Sequence, residues 1–192
     1  MKKLFFAAFA LVAGVLSAQA QTEIHPRIEV GANFASGVNK VVGVTPESKV
    51  RLGFRAGLAA EVGLASGVYL APGVTFRQEG FKYISEDGYG LNYISVPVDL
   101  GIRVPFSENF AVSVEAGPYF AYGLSTTSKI DAFKAGVYKR FDMGLNASAA
   151  LEFSKVYLRV GTDIGMVHAL KNNIANTSYK NASFFAGVGL RF

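Results

Sequence analysis

Cysteine and tryptophan are absent from this 192-residue chain and histidine occurs only twice. Beyond the first twenty residues there is no apolar run of the roughly 18 residues that a membrane-spanning helix needs. Without cysteine there is no disulfide, no thiol nucleophile, no thiolate-bound metal and no lipid-modified N-terminal cysteine. Two histidines among scattered carboxylates give no spacing suited to a metal centre, so no metal, cofactor or catalytic constellation is expected. Charge is scarce too: 17% of residues are charged against 51% hydrophobic, and the mean hydropathy is +0.28. Such a chain is too apolar for disorder and oily for a water-soluble domain. The oiliness must therefore be dispersed, and at this length within one domain.

What is present begins with Lys2 and Lys3, an apolar stretch from Leu4 to Leu16, and Ser17-Ala18-Gln19-Ala20. A positive start, a short apolar segment and a small-residue cleavage site read as a secretory signal removed after Ala20, leaving residues 21–192 as the folded domain. Loss of Lys2 and Lys3 lowers the net charge from +5 to +3, which weakens any reading of the basic composition as a nucleic-acid surface.

From residue 27 onward polar and apolar residues alternate with period two, the signature of strands with unlike faces. The pattern predicts eight strands, over 27–36, 51–64, 68–80, 93–104, 109–123, 140–153, 156–166 and 183–192. In the last, Phe184, Ala186, Val188, Leu190 and Phe192 oppose Ser183, Phe185, Gly187, Gly189 and Arg191, with Phe185 the one oily misfit. Short turns after strands 2, 4 and 6 alternate with long polar connections at 37–50, 81–92, 124–139 and 169–179. The expected fold is all-β: an eight-stranded antiparallel up-and-down transmembrane barrel with four long extracellular loops at one end and periplasmic turns and termini at the other. Pro72, Pro97 and Pro118 fall inside strands and predict bulges or local shifts, since each removes a ladder donor.

Charge placement chooses between an apolar interior and an apolar exterior. The eight arginines (Arg27, Arg51, Arg55, Arg77, Arg103, Arg140, Arg159 and Arg191) share the polar face with Glu29, Glu61, Glu79, Asp99, Glu115, Asp142, Glu152 and Asp163, while the lysines past residue 20 lie in loops, turns or strand tips. Arginines matched one for one by acids, among many small residues, suit a confined lumen, because the planar guanidinium binds carboxylates bidentately and is weakly hydrated. Eight strands enclose just enough room for side chains, so this charge network is expected to fill the barrel and hold it together. The apolar face would then meet lipid, with Phe34, Phe76, Tyr122 and Phe141 near the long loops and Phe110, Phe153 and Phe192 near the turns as two interfacial girdles.

The succession Tyr93-Ile-Ser-Val-Pro97-Val-Asp-Leu-Gly, Glu115-Ala-Gly-Pro-Tyr119, Phe141-Asp-Met-Gly144 and Gly187-Val-Gly-Leu-Arg-Phe192 resembles the PorT-type outer-membrane beta-barrel family of Bacteroidetes. The resemblance implies an outer-membrane location and, for some members, a part in protein secretion. A terminal Phe192 on an alternating strand also resembles the signal read by the barrel assembly machinery. The main functional expectation is a non-enzymatic structural or binding protein acting through its loops. An accessory role in secretion or envelope assembly is the alternative, and a lipid-modifying enzyme or narrow pore the weakest. His168, at the loop end of strand 7, is expected to be interfacial rather than a catalytic base, with Ser125, Ser128 and Ser178 lacking a supporting motif; His25 precedes strand 1. Expected partners are outer-membrane lipid and lipopolysaccharide, attracted by Lys40, Lys49, Lys129, Lys134, Lys139 and Lys171, the assembly machinery, and an envelope protein, with no nucleic acid. Asn146, Asn176 and Asn181 open glycosylation-like triplets of little weight in such a setting.

Overall fold

The computed structural model describes residues 23–40, 50–81, 89–127, 132–170 and 178–192. The expectations for the signal segment and for Lys49, Lys82, Glu86, Asp87, Ser128, Lys129, Lys171 and Asn176, and for the side chains of Lys40 and Ser178, lie outside that description.

Eight strands form: β1 (Ile24–Lys40), β2 (Arg51–Ala65), β3 (Val68–Phe81), β4 (Tyr89–Ser107), β5 (Phe110–Thr126), β6 (Phe141–Phe153), β7 (Val156–Gly165) and β8 (Ser178–Arg191). Each pairs antiparallel with its chain neighbour, and β8 pairs with β1 to close a barrel. Closure matters because it leaves no free strand edge, so the wall's backbone groups can pair strand to strand rather than with water. β1, β4 and β8 run several residues past the alternating core of their sequences, since loop-end segments continue the ladder once a neighbour is there to pair with.

The register fixes the barrel's shape. A circuit at right angles to the strands runs Ile24, Val62, Leu70, Leu100, Ala116, Ala147, Thr162 and Phe184, and returns to β1 at Phe34, ten residues above its start. With strands about 4.8 Å apart and a rise of about 3.3 Å per residue, that stagger over eight strands gives a tilt of about 41°, within the range of small closed barrels.

The three prolines do not shift the register. Pro72 pairs with Val98, pairing lapses at 73 and 74, and it resumes in the same register at Thr75 and Ser95. Pro97 opposite Tyr119 is likewise followed by a lapse and resumption at Leu100, and Pro118 sits opposite Leu145 in an unbroken ladder. The missing donor opens the ladder locally without adding a residue. The actual shifts lie near strand ends, at Gly63/Ala65, Asn92/Tyr93 and Pro105/Ser107. The β2–β3 turn uses Gly67 at φ 72°, and the β6–β7 turn holds Ser154 at φ 56°, a left-handed conformation that costs a side-chain-bearing residue.

The barrel is inverted relative to a soluble domain. Leu58, Leu100, Leu145, Leu158 and Ile164 are about half exposed or more on the outer wall, and Phe34, Phe141, Phe153 and Phe192 are exposed toward the strand ends. Inside, Arg77, Glu79, Asp99 and Asp142 are buried. The lumenal tyrosines lie over glycines of the neighbouring strand: Tyr69 faces Gly101 and Tyr157 faces Gly189, and a Cβ at either glycine would run into the ring. Much of the glycine in the strands is therefore space for aromatic rings.

The lumen and its mouth as the candidate functional site

Alternation points Arg27, Arg55, Arg77, Arg103, Arg159 and Arg191 inward from six strands, and the stagger of the wall brings residues distant in sequence to one level. At the turn end, Glu61 receives Arg27 (3.2 Å), Arg103 (2.7 Å) and Arg191 (2.7 Å), while Arg103 also reaches Glu152 at 2.7 Å and lies over the Tyr69 ring. One level up, Glu115 is held by both guanidinium arms of Arg27, by Arg159, and by the Tyr69 hydroxyl, which donates at 2.7 Å. Arg159 also contacts Glu29 and Asp99, each at 3.5 Å, and donates to Ser148 Oγ. Arg55 bridges Glu29 and Asp163, and Arg77 bridges Asp163 (3.1 Å), Glu79 (3.4 Å) and Asp142 (3.7 Å).

The pairing is shared and not one for one. Glu61 serves three arginines, and Arg77 serves three carboxylates. Arg51 turns to a backbone acceptor, the Glu79 carbonyl, at 3.4 Å. Arg140 sits at the loop-end rim, donating to the Gly123 and Leu124 carbonyls and lying over the Phe133 and Tyr122 rings. Both are on polar-parity positions, but at the strand starts they stand above the levels where the other six arginines converge.

Phe185 accounts for itself in this setting: its buried ring is a platform for the Arg55 guanidinium, 3.5 Å above its centre. Asn146 and Asn181 are lumenal and buried, donating to Asp99 (2.8 Å) and Asp142 (3.0 Å), so neither is open to a modifying enzyme. Tyr69, Tyr119, Phe185, Asn146, Ser148 and Asn181 are the partners that charge patterning alone misses. Their signal in the sequence is position, on the polar parity of a strand and, for the tyrosines, opposite a glycine.

Between these levels lies a polar cavity of about 30 Å³, bordered by Arg55, Arg77, Asp99, Tyr119, Asn146 and Asp163. That is room for about one water molecule. The mouth above is closed from an unexpected direction. The β5–β6 connection, expected as a solvated loop, turns back over the barrel end: Ala132, Phe133 and Tyr138 are buried with Leu91, Tyr93, Ala121 and Ala169. Phe133 stands edge-on to Tyr93 with ring centres 5.7 Å apart and fills the space above Gly123. Bonds from Val137 N to Ala132 O and from Lys139 N to Ala169 O fasten this lid. The apolar residues in the loop are its cause, since an exposed Phe and Tyr gain by covering an otherwise open barrel end.

At the turn end, His25 Nδ1 donates to the Phe192 carbonyl (3.1 Å), Phe192 N donates to Pro26 O, and the Phe192 ring stays exposed. At the loop end His168 is exposed just beyond β7, and Ser125 Oγ accepts from Asn92 Nδ2 at 3.0 Å.

The family model described as outer membrane protein beta-barrel domain matches residues 18–175. Among solved structures the chain is similar to Neisserial surface protein A at 12% identity, covering 90% of this chain and 99% of that one with a TM-score of 0.57. It is similar to the outer membrane enzyme PagL at 14% identity, covering 86% and 97% with a TM-score of 0.51. A third likeness is to Ail, the attachment invasion locus protein of Yersinia pestis, at 16% identity, 88% and 99% coverage and a TM-score of 0.49. No curated protein matches the chain in sequence. At these identities the shared property is the fold, and because PagL is an enzyme that fold alone does not separate catalytic from non-catalytic members. The closed eight-stranded wall, its apolar exterior and the match over most of the sequence establish that the chain belongs to the outer membrane protein beta-barrel domain family and resides in the outer membrane.

Proposed function

We propose that this protein is a non-enzymatic outer-membrane barrel whose lumen is a structural core and whose outward contacts are made by its loops. The observation that carries this reading is the filled lumen: shared ion pairs at three levels, a cavity of about one water, and a lid over the mouth. Buried charges that are paired and hydrogen-bonded hold a specific arrangement, and losing one partner leaves the rest stranded. In this reading residues 1–20 are removed on export, the turns and both termini face the periplasm, and the long loops face the exterior, as in other outer-membrane barrels. The exposed Lys134 and Lys139 of the lid segment then stand where outer-leaflet lipopolysaccharide presents its phosphates. The exposed terminal Phe192 is the mark by which the assembly machinery would take up the chain.

The order of motifs from Tyr93 to Phe192 supports placement among the PorT-type barrels of Bacteroidetes, and with it a second reading in which loops or turns dock a secretion or envelope partner. Crosslinking in intact cells separates the two, since a recurrent stoichiometric partner is expected only for the second. The test of the structural reading is electrical: the purified barrel in a planar bilayer is expected to pass no sustained current, and stable conductance steps would contradict it.

A further inference from the structure

The outer wall is not uniform at its loop end. On β3, β4 and β5 the outward side chains above the apolar band are polar and joined to one another. Gln78 Oε1 accepts from Phe54 N at 3.1 Å, Gln78 Nε2 donates to Asn92 Oδ1 at 3.1 Å, and Asn92 Nδ2 donates to Ser125 Oγ at 3.0 Å. Directly beneath runs an apolar row, in which Phe76 pairs with Ile94, Ile94 with Tyr122 and Tyr122 with Phe141. The bond from Gly123 N to Arg140 O continues the ladder and sets the exposed Lys139 across from Leu124, beside Ser125.

Height places this strip at the edge of the membrane. At a tilt of about 41°, each residue climbs about 2.5 Å along the axis and each step to the next strand of a row about 3 Å. Counted through the register from the turn-end ring of Phe110, Phe153 and Phe192, Gln78 and Asn92 stand about 26 and 29 Å up, just past an apolar band about 25 Å tall. At the same height the outward side chains are Leu52 on β2 and Met166 past β7, both exposed, so the polarity belongs to one side of the wall. Among the described residues the charged side chains outside the lumen at this end are basic, Lys134, Lys139 and Arg140 among them, while Glu79 and Asp142 are buried within.

We propose that the strip Gln78–Asn92–Ser125, with Lys139 at its end, is a binding site for the phosphorylated sugar headgroup of one lipopolysaccharide molecule, whose acyl chains lie on the Phe76–Ile94–Tyr122–Phe141 row below. The proposal rests on the reading that the long loops face the exterior. Each amide nitrogen of the strip carries a second hydrogen and the Ser125 hydroxyl carries its own, so the strip offers donors to sugar hydroxyls and phosphate oxygens. Lys139 adds the positive charge that a phosphate seeks, and at the interface a Lys keeps its charged head in the polar layer. The apolar row is continuous with the wall that already meets lipid, which fixes the kind of molecule that covers it. Leu52 and Met166 offer no such donors, so one side of the barrel is selected.

The test places the purified barrel in mixed micelles holding lipid A and phosphatidylglycerol in equal amounts and reads the retained lipid by native mass spectrometry. One lipid A per barrel is expected in preference to phosphatidylglycerol. Gln78→Leu combined with Asn92→Leu, and separately Lys139→Glu, should each weaken lipid A retention about tenfold, as loss of two hydrogen bonds or of one charged contact implies, while Met166→Ala leaves it unchanged. Should the double variant fail to fold, Ser125→Ala with Lys139→Glu takes its place. Equal retention of the two lipids, retention untouched by the strip variants, or an equal loss for Met166→Ala would overturn the proposal. Binding in micelles does not depend on the direction of insertion, so orientation is read separately from labelling of Lys134→Cys by a membrane-impermeant maleimide on intact cells. Labelling is expected. Labelling only after lysis would overturn the exterior-loop reading and the proposal with it, whereas labelling of intact cells without preferential lipid A retention would overturn the proposal alone.

Discussion

Arg159→Ala is the perturbation whose consequence the lumen defines best. The guanidinium is nine-tenths buried and contacts Glu115, Glu29 and Asp99, with a further bond to Ser148. Its removal leaves Asp99 with the Asn146 amide and Glu115 with Arg27 and Tyr69, all out of reach of bulk water. Breaking a buried charged arrangement in this way costs about 3–5 kcal/mol, because the remaining charge stays desolvated. Arg191→Ala is the internal control. That side chain is a quarter exposed at the turn end, and its partner Glu61 keeps Arg27 and Arg103, so the loss should be about 1 kcal/mol or less. With a urea dependence of about 2 kcal/mol per molar, the first variant should lower the unfolding midpoint by about 1.5–2.5 M and the second by about 0.5 M. The chain has no tryptophan, so far-ultraviolet circular dichroism and the gel-mobility difference between folded and unfolded barrel are the suitable probes. Equal losses for the two variants, or no loss for Arg159→Ala, would refute the view that the ion pairs form a cooperative core.

Two other predictions test separate parts of the fold. Phe133→Ala should speed hydrogen exchange at the amides of Val137 and Lys139, whose acceptors are Ala132 and Ala169, while leaving exchange in the wall unchanged; unaltered exchange would mean that Phe133 does not hold the lid. Ser154→Gly should stabilise the barrel by about 0.5–1 kcal/mol in urea titrations by relieving the left-handed turn at φ 56°, and a destabilised variant would show that the serine side chain outweighs that strain.

The wall of this protein is plain in its sequence because a strand between lipid and a packed lumen has a strict two-residue period, visible from Ile28 in β1 to Phe192 after β8. Placing the arginines inside also follows from sequence, since a lipid-facing arginine would be heavily penalised. Who pairs with whom is another matter. Arg27 meets Glu115 and Arg55 meets Asp163 across 88 and 108 residues of chain, and those encounters depend on a stagger of ten that no single strand reveals. The prolines mislead for a related reason: a missing donor reads as a bulge in sequence, while the closed wall holds the register and lets a few bonds lapse. The lid escapes a reading based on strand period, because Phe133 and Tyr138 lie in a connection whose apolar residues have a destination only when the mouth of the barrel exists.

The central claim, an apolar wall in lipid around a filled lumen, can be tested directly because the chain has no native cysteine to interfere with labelling. Spin labels on Leu145→Cys and Leu158→Cys, from the outer wall, and on Lys134→Cys, from the lid, are compared in lipid bilayers for collision with oxygen and with a water-soluble nickel chelate. The account predicts high oxygen and low nickel accessibility at 145 and 158 and the reverse at 134. Nickel accessibility at 145 and 158 as high as at 134 would contradict it.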